Sequence, residues 1–272
     1  MITVYGCGFI GGEYVKRYPS AIKPRGDIVP ETNEILYFIS TVDNYNVFHD
    51  SLIDIDTNLI TLMKVLDSCR QKFNSNFVFN FISSWFVYGS CELPAREDSI
   101  CHPTGFYSIT KKAAEDLLIS YCNSFGIKYR ILRLCNVVGM SDKKISKKKN
   151  ALQYIINELW NDEEVFLYDR GELYRDYMHV HDVVDAIHMV CEYSNTNDIY
   201  NIGRGRKEKF SDIVEYAKDR IGSKSNISSM DTPEFHKNVQ TKNMILDVSK
   251  LNALGFKPKR ATYQEIIDKL LI

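Results

Sequence analysis

Short apolar runs alternate along the chain with longer stretches in which apolar residues recur every three or four positions. The apolar runs predict strands at residues 2–5, 21–23, 34–40, 77–82 and 127–134. The longer stretches have helical spacing and predict helices at 11–18, 56–72, 105–125 and 151–160. Strands that alternate with helices in this way are typical of an α/β protein, in which a parallel sheet carries helices on both faces.

The first half of this pattern is abbreviated. Only about ten residues separate the second predicted strand from the run at 34–40, too few for a crossover helix and another strand. We therefore expect one βαβ unit to be missing there. The pattern further predicts a main domain of residues 1–140, to which the chain returns at about 176–202. The remaining residues, 141–175 and 203–272, are predicted to form a small lobe, made of helices and loops from Arg204 onward.

Composition and charge narrow the class of protein. The net charge of −1 gives no reason to expect nucleic acid or a membrane surface as partner. No apolar run approaches the roughly 18 residues of a membrane-spanning helix, and no signal peptide is recognisable. The seven cysteines are scattered and form no CxxC pair, so we expect reduced thiols, a cytoplasmic protein and no metal site.

A glycine loop follows the first predicted strand. Gly6, Gly8 and Gly11, with Phe9 and Ile10 before the last, fit GxGxxG between a strand and a helix. Glycines there permit a tight turn and a close approach of the backbone to a pyrophosphate at the helix N-terminus. The loop therefore predicts a dinucleotide site.

The second predicted strand ends in Pro24 and Arg25, where an acid that binds the adenine ribose of NAD would be expected. An arginine at this place suits the extra phosphate of NADP, with Lys23 as a second contact. We therefore predict NADP(H) as the favoured cofactor. NAD stays possible, because Asp27 lies nearby and the basic turn is equally compatible with a solvated surface.

Tyr107 and Lys111 are four residues apart in a predicted helix, so they share one helix face. A lysine near a phenol favours the phenolate and lowers the pKa of the tyrosine, which suits proton exchange near neutral pH. Ser83 and Ser84 lie upstream at the end of a predicted strand. These side chains are candidates for redox chemistry beside the dinucleotide.

In these motifs the chain resembles the extended short-chain dehydrogenase/reductase family, which comprises NAD(P)-dependent sugar-nucleotide epimerases, dehydratases and reductases. Further matches over nearly the whole chain are 56–58 (DTN), 83–89 (SSWFVYG), 132–139 (LRLCNVVG), 174–183 (YRDYMHVHDV) and 200–203 (YNIG). The resemblance implies a Rossmann fold, a doubly wound parallel sheet with a small C-terminal substrate lobe. It also implies a homodimer that pairs through the helices at 56–72 and 105–125.

The resemblance implies a role for individual residues. The catalytic residues would be Ser84, Tyr107 and Lys111. The cofactor contacts would be Gly6, Gly8, Phe9, Ile10, Gly11, Arg25, Ser40, Thr41, Asn58, Ser83, Tyr107 and Lys111. The substrate, a nucleotide-diphosphate sugar, would meet Ser84, Trp85, Tyr107, Asn136 and Arg175, the last two beside its diphosphate.

Two departures from the family pattern bear on the reaction. Dehydratases of the family carry Asp and Glu directly after the catalytic serine, where this chain has Trp85 and Phe86, so 4,6-dehydration is not expected. The two aromatic side chains fit an apolar wall against the sugar and a place in the core equally well. With Arg25, they favour an NADPH-dependent reductase of a nucleotide-linked 4-keto deoxy sugar. The alternatives are a 4-epimerase with tightly held NAD and a catalytically silent relative.

Two other groups of residues have weaker interpretations. His179 and His181 alternate along one segment, but no further ligands accompany them, so we expect a structural role. A basic loop contains Lys143, Lys144, Lys147, Lys148 and Lys149. This loop either is a solvated surface or attracts the anionic substrate.

Overall fold

Apolar strands form the centre of the molecule, as the sequence pattern predicts. The computed structural model describes residues 1–42, 44–142, 150–239 and 243–272. In chain order the strands are β1 (Ile2–Tyr5), β2 (Ser20–Lys23), β3 (Glu34–Tyr37), β4 (Val78–Ser84), β5 (Lys128–Leu134), β6 (Asn136–Val138), β7 (Val165–Tyr168), β8 (Tyr174–Arg175), β9 (Tyr177–His179), β10 (Asp198–Ile202), β11 (Glu208–Lys209) and β12 (Ile227–Met230).

The helices have the apolar faces that the periodicity predicts. They are α1 (Phe9–Arg17), α2 (Ile53–Ile55), α3 (Thr61–Phe73), α4 (Phe106–Phe125), α5 (Ala151–Trp160), α6 (Val180–Tyr193), α7 (Phe210–Ile221), α8 (Glu234–Val239), α9 (Ser249–Ala253) and α10 (Tyr263–Leu270). A π-helical turn, Asp56–Ile60, joins α2 to α3, so the helix predicted at 56–72 is regular only from Thr61 onward. In the described residues, no helix is long and apolar enough to cross a membrane.

The central sheet is parallel and has six strands, in the order β2–β1–β3–β4–β5–β10. Helices α3 and α4 pack on one face, where Leu66 and Leu118 meet Phe79 and Phe81. Helices α1 and α6 cover the other face, where Tyr14 and Val184 lie in a second cluster. This doubly wound α/β arrangement confirms the predicted fold class.

The predicted abbreviation of the first half is also confirmed. Strand β2 pairs with β1 alone and lies at the edge of the sheet, and residues 24–33, all of them described, form no helix before β3 begins. The chain thus reaches β3 after one crossover helix, α1, and a ten-residue connection.

A third apolar cluster lies beyond the sheet. It joins α5, α7 and α10 to β7, with Ile156, Leu159, Val214 and Ile267 among its buried residues. The expectation of helices and loops from Arg204 onward is wrong in part, because β11 and β12 pair there with β8 and β7. Ile227–Met230 has only two apolar residues in four, too weak a pattern to predict a strand. The division into a main domain and a lobe at the stated boundaries stays a prediction.

The backbone of the glycine loop lies so close to neighbouring backbone that two of its glycines have no room for a side chain. Gly6 has φ +89°, and a Cβ there would lie 2.8 Å from the Ile39 nitrogen. A Cβ on Gly11 would lie 2.1 Å from the Gly6 carbonyl oxygen, so helix α1 packs directly on the turn. Gly8, by contrast, has no atom within 4 Å of a Cβ position among the described residues. The first and third glycines therefore shape the loop, while the second leaves open space above it.

Gly11→Ala should destabilise the protein by about 2 kcal/mol or more, because its methyl group would collide with backbone that cannot move alone. Gly12→Ala is the matched control, since a Cβ there would meet the Cys7 carbonyl oxygen at an ordinary 3.6 Å. We expect the control to be neutral or up to about 1 kcal/mol more stable, because alanine favours the helix. Urea denaturation of both variants checks this, and equal stabilities would contradict the packing described.

Candidate active site

The predicted site residues meet at the carboxyl edge of the sheet. The turn at Gly6 follows β1, Ser40 and Thr41 follow β3, and Ser83 and Ser84 end β4. Parallel strands all end at this edge, so segments far apart in sequence are brought together there. Helix α4 begins beside it and carries Tyr107 and Lys111 on the face toward the sheet, where both side chains are buried.

Tyr107 lies close to hydroxyl groups from β4 and from the segment after β3. Its phenol is near the side chains of Ser84 and Ser40, and its backbone nitrogen donates to Asn44 Oδ1 at 3.2 Å. Burial raises the pKa of the Tyr107 phenol, while the hydrogen bonds with Ser84 and Ser40 act in the lowering direction. The structure thus brings Ser84 and Tyr107 together, and the hydroxyl groups, rather than Lys111, oppose the effect of burial.

Lys111 lies under the site, in contact with the sheet. Its Nζ donates to the Ile82 carbonyl oxygen at 2.7 Å and lies 4.0 Å from the centre of the Phe81 ring. Burial lowers the pKa of this ammonium to about 7, although Glu115 acts in the opposite direction. Lys111 is therefore poised to change its charge near neutral pH.

Asn58 connects the strand after β3 with helix α4. Its Oδ1 accepts hydrogen bonds from Ser40 Oγ and from the Thr41 backbone nitrogen, both at 3.0 Å. Its Nδ2 donates to Thr41 Oγ1 at 2.8 Å and to Thr110 Oγ1 at 2.9 Å. Both polar atoms of the Asn58 side chain therefore have hydrogen-bond partners. The π-helical turn sets the direction in which Asn58 points toward these partners.

A buried ion pair behind β4 was not among the expected site residues. Glu115 is fully buried and accepts from Arg133 Nη2 at 2.7 Å and from Arg133 Nε at 3.0 Å. The Ser83 hydroxyl donates to the same carboxylate at 2.5 Å, so it is engaged in the core beneath the edge of the sheet. A glutamate and an arginine at otherwise apolar positions of a helix and a strand were the signal in the sequence.

Arg175 and Trp85 lie together on the side where the substrate is predicted to bind. The guanidinium carbon of Arg175 lies 5.2 Å from the centre of the Trp85 ring, and burial lowers the pKa of Arg175 to about 10. Trp85 is only 3% exposed and stacks on Phe86, which meets the Tyr107 ring edge to face. Trp85 therefore packs in the core as well as against Arg175, and its contact with a sugar stays a prediction.

Asn136 lies on the same side, directly after β5. Its Nδ2 donates to the Asp176 carbonyl oxygen at 3.2 Å, which holds β6 beside β9. His179 is buried and accepts a hydrogen bond from the His181 backbone nitrogen at 3.1 Å. Burial lowers the pKa of His179 to about 3, which fits a neutral structural histidine. The basic loop at 143–149 lies outside the described residues.

The glycine loop and its neighbours fit a dinucleotide. The open space above Gly8 lies at the N-terminus of α1, where backbone N–H groups favour an anion. At the end of β2, Lys23 forms ion pairs with Asp27 at 2.6 Å and Glu31 at 3.2 Å. Arg25 is exposed and has no ion pair or hydrogen bond within the described parts of the chain. Arg25, rather than Lys23, is thus the cation available at this end of the site.

The family model for the NAD dependent epimerase/dehydratase family matches residues 32–203, well over half of the chain. The chain belongs to this family. It is an NAD(P)-dependent enzyme of sugar-nucleotide chemistry, and the resemblance to the extended short-chain dehydrogenases/reductases is confirmed.

Three known proteins illustrate the range within the family. The dTDP-4-dehydro-6-deoxyglucose reductase of Escherichia coli is 28% identical over 186 residues, which cover 68% of this chain and 57% of that protein. The UDP-glucose 4-epimerase of Thermotoga maritima, solved with UDP-glucose, has a TM-score of 0.85 at 21% identity, covering 98% and 97% of the two chains. RMD from Pseudomonas aeruginosa, solved with NADPH, has a TM-score of 0.82 at 21% identity, covering 99% and 98%. The chain thus shares its fold both with a UDP-glucose 4-epimerase and with a protein solved with NADPH.

Lys111→Met should stabilise the protein in a pH-dependent way. The folded-state pKa of about 7 lies below the ordinary 10.5, so the unfolded chain binds an extra proton between these values and stability rises with pH across that window. Below about pH 7 the wild type buries a charge, and we expect the variant to be more stable by roughly 3 kcal/mol there. This advantage should shrink toward pH 10.

Urea denaturation over a pH series measures the effect. Lys112→Met is the control, because Lys112 is partly exposed and pairs with Asp116 on the same helix. The control should show no comparable dependence on pH, and a Lys111→Met advantage that is constant with pH would contradict the assigned charge change.

Proposed function

We propose that the chain is an NADPH-dependent reductase of a nucleotide-linked 4-keto deoxy sugar. The observation that carries the proposal is the surroundings of Tyr107: one buried phenol near the hydroxyl groups of Ser84 and Ser40, with burial favouring its protonated form. The aromatic rings of Trp85 and Phe86 follow Ser84 directly and cannot act as a second acid and base. A single proton donor is what the reduction of a carbonyl requires.

In this reaction each residue of the site has a separate role. When bound, NADPH supplies a hydride for the carbonyl carbon. Tyr107 donates its phenolic proton to the carbonyl oxygen at C4, and the Ser84 hydroxyl donates a hydrogen bond that holds this oxygen in line. Arg175 and Asn136 bind the diphosphate and so orient the sugar from a distance. Lys111 lies one helical turn from Tyr107, where it would hold the nicotinamide ribose.

The residues that would hold the cofactor support NADPH over NADH. The glycine loop, Phe9 and Ile10 would take the pyrophosphate end, and Ser40 and Thr41 would line the path toward Tyr107, with Asn58 and Ser83 supporting this path from the core. The preference for NADPH rests on Arg25, which is exposed beyond β2 and suits the extra phosphate. The acid that would favour NAD, Asp27, is engaged by Lys23.

The assay that tests the proposal follows oxidation of NADPH by purified protein with CDP-, dTDP-, GDP- and UDP-linked 4-keto-6-deoxy sugars, with NADH alongside. We expect turnover with at least one sugar and a lower KM for NADPH than for NADH. Tyr107→Phe should lower kcat by about 10²–10⁴-fold, because the general acid is lost. Tyr121→Phe, on the same helix but bonded to Asp67, is the matched control and should retain activity.

Failure of every sugar to oxidise NADPH would overturn the reductase proposal. The second candidate, a 4-epimerase, would use Ser84, Tyr107 and Lys111 to oxidise and then reduce C4. It would copurify with NAD and need no added reductant. Full activity of Tyr107→Phe would count against both readings and would favour a catalytically silent relative.

We also propose that two copies of the chain pair through the helices next to Tyr107. Large apolar side chains are exposed on the outer faces of this region, among them Leu52 and Ile60 before α3, and Ile109 and Leu117 on α4. Several large apolar side chains exposed on neighbouring helices are typical of an interface.

Leu117→Glu should shift the protein from dimer to monomer, because it places a charge in the apolar contact. Light scattering coupled to size-exclusion chromatography measures the mass. Phe166→Glu is the control, since Phe166 is also exposed but lies on β7, away from these helices. A wild-type protein that is monomeric at all concentrations would refute the proposed pairing.

A further inference from the structure

Helix α4, which carries Tyr107, begins without a capping side chain of its own. The first N–H groups of a helix have no partner within the helix, and a Ser, Thr, Asp or Asn directly before its first residue usually accepts from one of them. In α4 this position is Gly105, which has no side chain to offer. The N–H group of Tyr107, the second residue of the helix, therefore needs an acceptor from elsewhere in the chain.

Asn44, in the segment after β3, provides this acceptor. Asn44 is only 4% exposed, and its Oδ1 accepts a hydrogen bond from the Tyr107 backbone nitrogen at 3.2 Å. A Cβ on Gly105 would lie 2.2 Å from the same Oδ1 and 2.6 Å from the Asn44 Cγ. The amide of Asn44 thus occupies the place that a capping side chain at position 105 would take. Asn44 belongs to none of the sequence motifs.

The segment around Asn44 is held from two sides. Three residues before Asn44, the Thr41 backbone nitrogen donates to Asn58 Oδ1 at 3.0 Å. Directly after Asn44, the centre of the Tyr45 ring lies 5.1 Å from the centre of the Phe235 ring in α8. These contacts fix the segment to the buried Asn58 and to α8, so they present the Asn44 amide to α4 from a defined place.

The first turn of α4 needs such a support, because the reactive phenol is attached to it. Lys111 fixes the next turn of the helix through its hydrogen bond to the Ile82 carbonyl oxygen. A general acid must lie within about 2.6–3.2 Å of the atom that receives its proton. A displacement of about 1 Å can lower the rate roughly 100-fold. The bond to Asn44 is thus a second anchor of α4, at the residue that would transfer the proton.

We propose that Asn44 is a positioning residue of the active site: its side-chain amide replaces the capping side chain that Gly105 lacks, and it fixes the backbone of Tyr107 and thereby the place of the phenol. The inference rests on the proposed function, in which Tyr107 donates the proton. It applies to the 4-epimerase as well, because that reaction would use the same phenol.

Asn44→Ala removes the accepting oxygen and should lower kcat for the keto sugar by about 10–100-fold, because the phenol loses its place. The KM for NADPH should change little, since the glycine loop is untouched. Thr262→Ala is the matched control, because Thr262 caps α10 in the third apolar cluster and its hydroxyl accepts the same kind of bond from Glu265. Both variants should unfold at a temperature a few degrees lower, but only Asn44→Ala should lose activity.

Two substitutions at Gly105 separate positioning from a general loss of stability. Gly105→Ala places a methyl group where the Asn44 amide lies, so it should displace this amide from Tyr107 and lower kcat as Asn44→Ala does. Gly105→Ser combined with Asn44→Ala supplies a capping hydroxyl on the helix itself, in the space that the amide has left. Gly105 has φ −93° and ψ 156°, which serine adopts readily, so we expect the double variant to recover most of the lost activity.

A measurement without turnover decides the inference even if no keto sugar is reduced. Fluorotyrosine incorporated in place of Tyr107 reports the surroundings of the ring through its fluorine NMR signal. We expect a single narrow signal in the otherwise unchanged protein, and a shifted or broadened signal in Asn44→Ala and in Gly105→Ala. The original signal should return in the double variant and should be unchanged in Thr262→Ala.

A fluorine signal that is the same in Asn44→Ala and in the wild type would overturn the inference. So would an unchanged kcat in Asn44→Ala, an equal loss of kcat in Thr262→Ala, or a double variant no more active than Asn44→Ala. Gly105→Ala leaves Asn44 in the chain and serves the same comparison if Asn44→Ala does not fold. A wild type that oxidises NADPH with no sugar would refute the proposed reductase, and the fluorine signals would still decide whether Asn44 positions Tyr107.

Discussion

The hydrogen bond from the Lys111 ammonium to the Ile82 carbonyl fixes helix α4 against strand β4, and the geometry of the site depends on it. Strand β4 ends two residues later at Ser84, and α4 carries Tyr107 one turn before Lys111. The contact therefore sets the distance between Ser84 and Tyr107, the two groups that we propose meet at the carbonyl oxygen of the substrate. It also buries a cation whose charge is destabilising in the folded state. Lys111 thus holds the site in place while its buried charge lowers the stability of the folded protein.

The buried ionisable groups near this contact have three different kinds of surroundings. Glu115 and Arg133 neutralise each other behind β4 and make a rigid support for Ser83. Lys111 escapes the cost in part, because its pKa is low enough for the proton to leave near neutral pH. Asp54 of α2 accepts hydrogen bonds from Thr41 and Asn46 but has no ion pair among the described residues, and its second oxygen is buried without a hydrogen-bond partner there.

The sequence predicts the central sheet and its covering helices well, because these elements depend on local signals. Apolar runs and helical spacing are properties of short segments, and they predict the strands of the central sheet and the helices that cover it. The glycine loop is likewise local, and a close contact such as that between Gly11 and Gly6 is the reason its spacing is recognisable. The weakest prediction concerns β12, whose two serines give no strand pattern and whose pairing depends on the distant strand β7.

The site is predictable only where a motif carries it. Tyr107, Lys111 and Ser84 belong to recognisable strings, and the structure brings the serine and the tyrosine together. Asn44 and Glu115 belong to none, because their importance comes from burial and from partners far away in sequence. The alternatives for Trp85 also needed coordinates, since a tryptophan in a wall and one in the core have the same sequence. Long-range packing, which no short window contains, decides such cases.

The missing βαβ unit affects the tendency of the protein to aggregate with other copies of itself. It leaves β2 as the outermost strand, and the outward side of such a strand offers unpaired N–H and C=O groups to any other chain. Here the strand is only four residues long and Pro24 follows it at once, with Lys23 and Arg25 on either side. Short length, proline and positive charge all discourage strand addition and aggregation. The basic turn that we propose binds the extra phosphate of NADPH thus also protects the open edge of the sheet, so we expect substitutions at Arg25 to lower solubility.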